Sequence, residues 1–519
     1  MNSIESFRIQ NLRCIKDSGE IQLKPITILV GRNSSGKSTL ARVFPLLKQS
    51  AETDTRGPIL WWGKLVDFGD FETAVYKNST TKEIILDLKI SHTSNDNTII
   101  PIMRFGKYSL LRLDTPGSIE LNIKLKNLNS ITYTSSISIS KEGYQAALEI
   151  DHTGAVTSLR AGNYTWVPSE SATCNAIQNQ LIPNIYFKNT QNSSAPGRQK
   201  PHNPIENELV KCIRNMINKN NKEENILDLA RKIPLAKKEE IYQSWEGSKK
   251  LKKEIKKSGI DSESFKKMCN LNYLLNLNDL LTISDRILTK FLDNLDYKEP
   301  LRATAERYYR QQPLAAGKID SKGANTAIFL ASLTEREKEY FNDWTLKHLG
   351  FKVTTKEEGG HISIEISTDS EIGGIKRNIA DMGFGYSQMI PLIAQLWATE
   401  GLRQNYPSPL MEQTHRLMVI EQPELHLHPE YQARIAKIFV AAVNGNKDLR
   451  IIAETHSHAL INRLGYLISK NEIDRDHVQV LIFEQSQEQP ISKIRVACFD
   501  NHGILKNWPC GFFEPTLDD

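Results

Sequence analysis

Apolar and polar residues alternate in three ways along the chain, and each predicts a different kind of element. Ile4–Ile9 and Ile21–Val30 read as strands, the second closing on the unbroken apolar run Ile26-Thr27-Ile28-Leu29-Val30 before Gly31. Such a run suits a strand buried on both faces. A helix is expected over Lys37–Lys48, with Leu40, Val43, Phe44 and Leu47 at helical spacing. Across residues 83–168 the period drops to two, as in Ile84-Ile85-Leu86-Asp87-Leu88-Lys89-Ile90 and Ile119-Glu120-Leu121-Asn122-Ile123-Lys124-Leu125. These segments predict antiparallel strands with one wet face.

The polar, Pro/Ser-rich stretch around Asn189–Pro204 predicts a loop, and Ile205–Asp296 reads as charged helix. Sheet patterns return at Phe351–Thr355 and His361–Ser367, with Glu358-Gly359-Gly360 suited to a hairpin turn. Alternating strand and helix patterns then continue to the C-terminus. No repeat of 20–50 residues and no long heptad array is present.

Composition narrows this picture. With 519 residues, 39% of them hydrophobic, and a mean hydropathy of −0.42, the chain has enough material for several packed units. No run approaches the ~18 apolar residues of a membrane span, and the first residues lack a signal-peptide core, so a cytoplasmic protein with no membrane partner is expected. Six scattered cysteines without a C-x-x-C pair fit a reducing compartment and neither a disulfide framework nor a zinc site.

The net charge of +5 is concentrated: residues 211–267 hold 16 Lys/Arg against 9 Asp/Glu, most densely at Lys249–Lys257. Two readings of this insert stand. It could dock the phosphates of RNA or DNA through lysine. Alternatively it is a solvated helical face, because Glu223, Glu224, Glu239, Glu240 and Glu254 interleave and only Tyr242 and Trp245 offer stacking surfaces.

The chemistry begins at Gly31-Arg32-Asn33-Ser34-Ser35-Gly36-Lys37-Ser38-Thr39, which fills the pattern G-x-x-x-x-G-K-[ST] between an apolar strand and a helix. Glycines let backbone N–H groups curl around phosphate, and the helix N-terminus adds partial positive charge. Lys37 would reach the β- and γ-phosphates of ATP and Ser38 would hold Mg²⁺. An acidic partner belongs at the end of a neighbouring apolar strand. Leu417-Met418-Val419-Ile420 followed by Glu421-Gln422-Pro423-Glu424 supplies it, more than 380 residues after Lys37. The nucleotide site is therefore assembled from both ends of the chain. A third strand, Arg450–Ala453, delivers Glu454-Thr455-His456-Ser457 and places an imidazole near the expected γ-phosphate.

Together these pieces resemble ABC-type ATPases of the SMC and OLD kind, often grouped loosely with AAA ATPases, over about residues 1–75 and 375–515. The resemblance implies an α/β fold: an ABC-type P-loop ATPase head with a mixed sheet and an antiparallel β lobe, split by a helical insertion. The expected parts are residues 1–80 with the P-loop, 81–188 as the β lobe, 189–300 as the basic helical insertion, 301–380 as a return segment with a β-hairpin, and 381–519 as the C-terminal part of the head. In that family two heads pack head-to-tail, so a homodimer or higher even-numbered oligomer is implied. Asp381-Met382-Gly383-Phe384-Gly385-Tyr386-Ser387-Gln388 resembles the signature loop, which assigns Gly385, Ser387 and Gln388 to the nucleotide of the partner.

The resemblance further implies Glu421 as the Mg²⁺-binding acid, His456 as the switch histidine, and the position of Gln422 as that of the catalytic base. An amide there accepts no proton at neutral pH, although glutamine can orient a water. Slow turnover of ATP·Mg²⁺ is expected, with Glu424 two residues on as a substitute base. His426 and His428 fall in the loop that meets the other head, and lack a third metal ligand.

The stretch Gly503–Glu514 resembles a tail found in bacterial ATPases of this type encoded with nucleases in anti-phage systems, including Septu-type, retron-linked ones, which implies a nuclease partner. Two alternatives remain: an OLD-like enzyme that cuts nucleic acid itself, for which Asp474-Arg475-Asp476 is the lone D-x-D after His456, and an SMC-like DNA-binding structural ATPase. Arg302 and Arg307 are expected to be structural.

Overall fold

The computed structural model describes residues 3–508 apart from 93–99, 105–106, 112–116, 142, 171, 190–202, 218–225, 228, 231, 245–252, 254–258, 313–317, 368–375, 406–415 and 486–490. Most of the lysine-dense segment Lys249–Lys257, Trp245, and the tail from Pro509 onward lie outside the described residues. The chain forms two compact units, and both are discontinuous. One comprises Met1–Gln22, Leu47–Gly63 and Asp67–Lys290; the other comprises Leu23–Leu46, Lys64–Val66 and Phe291–Asp519.

The first unit is built on a nine-stranded sheet whose pairings are all antiparallel. Its strand Ile84–His92 buries every second side chain, as the period-two pattern requires. The long helix Glu263–Asp293 begins in the same unit. The helical expectation for Ile205–Asp296 resolves into Pro204–Ile217, Lys238–Ser244 and Glu263–Asp293, and it overruns at its end. Leu295–Lys298 is a strand, buried at every position, because Asp296 and Lys298 are drawn into a sheet by neighbours far away in sequence.

In the basic insert, Lys211 and Lys267 pair with Glu208 at 3.1 and 3.9 Å, and Lys238 and Lys266 pair with Asp261 at 3.3 and 3.5 Å. Each of these two carboxylates is shared by two lysines, so neither carboxylate alone neutralises its pair.

The second unit carries a seven-stranded sheet in the order Leu295–Lys298, Arg416–Glu421, Leu449–Glu454, Ile26–Gly31, Val478–Gln485, Ser492–Phe499, Leu505–Lys506. The first five run parallel, and the last two are joined through antiparallel pairings. Ile26, Ile28, Leu29 and Val30 have no exposed surface, as expected for a central strand covered on both faces. The register sets Glu421 opposite Glu454 and Glu454 opposite Leu29, so three strand ends form one row. Ligands of open α/β sheets bind at such carboxyl ends. A smaller sheet holds the hairpin Lys352–Glu358/His361–Ser367, where Gly359 and Gly360 both take positive φ (59° and 78°), the conformation of a type I′ turn.

The helix expected over Lys37–Lys48 is broken. Lys37–Ala41 ends at Arg42, and a new helix runs Val43–Ala51. Pro45 is the cause: inside a continuous helix its ring would meet the carbonyl of Ala41 and its missing N–H would leave a gap, whereas in a restarted helix it falls in the first turn.

Candidate nucleotide site

The P-loop joins the strand Ile26–Gly31 to the helix Lys37–Ala41. Its backbone departs from ordinary conformations at Ser34 (φ 63°) and Gly36 (φ 101°), and Gly36 caps the helix with no side chain on the terminal N–H groups. Those donors face outward from the helix start, the arrangement that receives an anion. Gly31 admits no side chain, since a Cβ would lie 2.6 Å from the Phe483 carbonyl oxygen. Ser35 is 1% exposed, and its hydroxyl lacks a partner among the described residues, while its carbonyl accepts a 2.6 Å bond from the Ser492 hydroxyl. Thr39 is buried beneath the loop. Asn33 and Ser34 are exposed at its tip.

Lys37 folds back on the loop and donates to the carbonyls of Gly31 (3.0 Å) and Arg32 (2.9 Å). It is 3% exposed, and burial pushes its pKa down against the opposing pull of Glu454, 3.8 Å away, and Glu424. The hydroxyl of Ser38 engages the carboxylate of Glu454 as well. The Glu454 pKa is raised chiefly by desolvation, and its Oε2 has no hydrogen-bond partner among the described residues.

Glu421 lies in a different setting. Arg42 grips both its oxygens, Nε to Oε1 at 2.6 Å and a terminal nitrogen to Oε2 at 2.7 Å, and the Tyr297 hydroxyl donates to Oε1 at 2.7 Å. The guanidinium pKa is raised by that hydrogen bond, and the phenol is pushed up by burial and the adjacent carboxylate. Sequence reasoning did not single out Arg42 or Tyr297.

Gln422 takes a left-handed φ of 43° and donates its backbone N–H to the Glu454 carbonyl at 2.8 Å. Glu424 is 8% exposed, accepts from the backbone N–H of His456 at 2.6 Å, and has an Oε2 with no partner among the described residues; burial raises its pKa. The His456 ring is exposed, and its pKa is lowered by desolvation and by the Lys37 charge. Thus Lys37, Ser38, Glu421, Glu424, Glu454 and His456 converge at the strand ends, in a site with two buried carboxylate oxygens unsatisfied. A magnesium ion fits the unsatisfied carboxylate oxygens: hard donors beside the hydroxyl of a P-loop serine.

The signature-like residues are placed differently. Gln388, fully buried, exchanges two bonds with the backbone of Arg302, accepting at 2.8 Å and donating at 3.0 Å. Ser387 is 4% exposed and donates to the Phe384 carbonyl at 2.6 Å. Gly385 retains surface beside His426, whose ring packs edge-on against Phe384. Arg302 is buried, with its pKa lowered to about 10 by desolvation, and it reaches the Glu421 carbonyl at 3.4 Å. Arg307 pairs with Asp381 at the surface.

His428 caps the helix Pro429–Gly445, and no group of three His, Cys, Asp or Glu arranged for a metal occurs among the described residues. Asp474 caps the exposed turn Arg475–His477. No helix among the described residues is long and apolar enough to cross a membrane.

A parallel sheet whose central strand feeds a P-loop, flanked by acids on the next two strands, defines a P-loop ATPase of mixed α/β architecture. The chain belongs to the AAA ATPase domain family, which matches residues 3–461. No curated protein matches it by sequence. Solved structures similar to it include an SMC head bound to the C-winged helix domain of ScpA, at 11% identity over 96% of this chain and 98% of that one with a TM-score of 0.35. Another is the SMC head domain from Thermotoga maritima, at 10% identity over 95% and 98% with a TM-score of 0.32.

Proposed function

We propose that this ATPase binds ATP·Mg²⁺ at Gly31–Thr39, turns it over slowly, and uses the bound state to close a head-to-tail homodimer that controls a partner effector. The observation that carries the reading is the convergence of Lys37, Ser38 and the buried acids on one row of strand ends, next to an amide at Gln422 where the resembling enzymes carry their base. Phosphates would be cradled by the loop N–H groups and Lys37; the metal would neutralise developing charge between the β- and γ-phosphates. Gln422 would orient water without taking its proton, which Glu424 could accept. His456, exposed beside Lys37, would sense the γ-phosphate.

The Gly385 end of the helix Phe384–Asn405 is the part of the signature-like loop left on the surface, and it is the proposed contact with the partner's nucleotide. The effector would be a nuclease of an anti-phage system. Support for that last step is the sequence resemblance of Gly503–Glu514.

Equilibrium binding of a fluorescent ATP analogue, combined with sedimentation with and without ATP and Mg²⁺, tests the reading. Micromolar binding that Lys37→Ala removes, with a nucleotide-dependent shift from monomer to dimer, is the expected result. Absence of nucleotide binding by the wild-type chain overturns it.

A further inference from the structure

The magnesium position in the resembling ATPases falls on the acid that ends the strand Arg416–Glu421, and here that acid is already engaged. Both oxygens of Glu421 accept from Arg42, and Oε1 also accepts from Tyr297. A parallel two-bond arginine–carboxylate contact is among the strongest hydrogen-bonded pairs in proteins. These three bonds leave Glu421 one lone pair, on Oε2, and a dication taking it would sit close against the Arg42 guanidinium.

Glu454 offers the opposite conditions. It ends the strand lying between Glu421 and the P-loop strand, in register with Leu29, so it stands one strand closer to the loop than Glu421 does. Its side chain is 3% exposed, the Ser38 hydroxyl engages its carboxylate, and Lys37 is its nearest cation at 3.8 Å. Its Oε2 is buried and has no hydrogen-bond partner among the described residues. A buried carboxylate oxygen left unsatisfied is costly and marks a place where another group completes the site. Mg²⁺ in nucleotide sites takes one or two protein oxygens, with phosphates and waters filling the octahedron, so Ser38 and one carboxylate suffice.

We infer that Glu454, together with Ser38, holds the magnesium ion of the bound nucleotide, and that Glu421 serves to anchor Arg42 and the end of the P-loop helix. The inference rests on the ATP·Mg²⁺ reading above and departs from the assignment of the metal to Glu421. It also gives a use to a residue that sequence pattern reduced to the neighbour of His456.

The test measures the affinity for a non-hydrolysable ATP analogue with and without Mg²⁺, and the binding of Mn²⁺ in its place by electron paramagnetic resonance, for the wild type, Glu454→Gln, Glu421→Gln and Glu454→Cys. Wild type should bind the analogue at least tenfold tighter with Mg²⁺. Glu454→Gln should lose that gain while keeping its metal-free affinity, and Glu421→Gln should keep the gain. Glu454→Cys should respond to thiophilic Cd²⁺ in place of Mg²⁺, a switch that misfolding cannot produce. Loss of the Mg²⁺ gain in Glu421→Gln, alone or alongside Glu454→Gln, overturns the inference, as does a Mg²⁺ gain retained by Glu454→Gln. Failure of the wild type to bind the analogue under either condition instead removes the ATP reading itself.

Discussion

Glu421 and Glu454 are register partners at the ends of adjacent parallel strands, yet one is locked by an arginine and the other has an oxygen without a partner among the described residues. Arg42 stands between the two short helices in a right-handed conformation (φ −81°, ψ −1°), and its guanidinium spans both oxygens of Glu421.

Removing Arg42 should therefore be expensive. Arg42→Ala strands a carboxylate that is 3% exposed, with the Tyr297 hydroxyl as its remaining strong partner. Breaking one side of a buried pair costs about 3–5 kcal/mol, and the tyrosine places this case near the lower end. Urea denaturation should show the loss, and Arg42→Ala combined with Glu421→Gln should cost less than the two single changes added together. An unchanged unfolding midpoint for Arg42→Ala would contradict the pairing.

Gln422→Glu restores a proton acceptor at a backbone position whose strain, φ 43°, is the same for either side chain. Single-turnover hydrolysis should rise by roughly 10²–10⁴-fold, the usual contribution of a positioned general base. Equal and brisk rates for variant and wild type would show that the amide does not limit turnover.

The buried acids make a pH prediction with a definite sign. Burial raises the pKa of Glu424, so the folded protein holds its proton to higher pH than the unfolded chain does. Its contribution is thus favourable below the unfolded value near 4.5 and is lost as pH rises through the folded value. Glu424→Gln still accepts from the His456 N–H and carries no charge to bury. Its melting temperature relative to wild type should be higher at pH 8 than at pH 5. A difference that does not change with pH would remove Glu424 from the set of buried acids.

Gln388 distinguishes a structural from an intermolecular role. Its amide satisfies both backbone groups of Arg302, and Gln388→Ala should destabilise the monomer by about 1–3 kcal/mol through the unpaired buried groups. A variant as stable as wild type that fails only to dimerise with ATP would return Gln388 to the interface.

Local pattern carried much of this architecture. The P-loop, the apolar strands that end in Gly31 and Glu421, and the Gly359-Gly360 turn each show within a dozen residues, because strand burial, loop conformation and helix start are short-range constraints. The Arg42–Glu421 pair was not legible: 379 positions separate its members, and no spacing rule spans that distance. Glu454 was visible as a residue but not as a ligand, since its bare oxygen depends on what its two neighbouring strands present. The strand Leu295–Lys298 was hidden for a related reason. Its charged positions read as helix surface until distant segments supply their partners, as when Lys298 donates to the carbonyls of Ile319 and Asp320 in a loop.

The central position of Ile26–Gly31 also sets a timetable. This strand leaves the ribosome more than 400 residues ahead of both its neighbours, Leu449–Glu454 and Val478–Gln485. At ~5–20 residues per second the gap of more than 400 residues lasts roughly 20–80 s. Throughout that interval an apolar segment with two unpaired edges has no native partner, so the growing chain is a natural client for chaperones. Any product truncated before Leu449 would carry a complete phosphate-binding motif and still be unable to close the sheet around it.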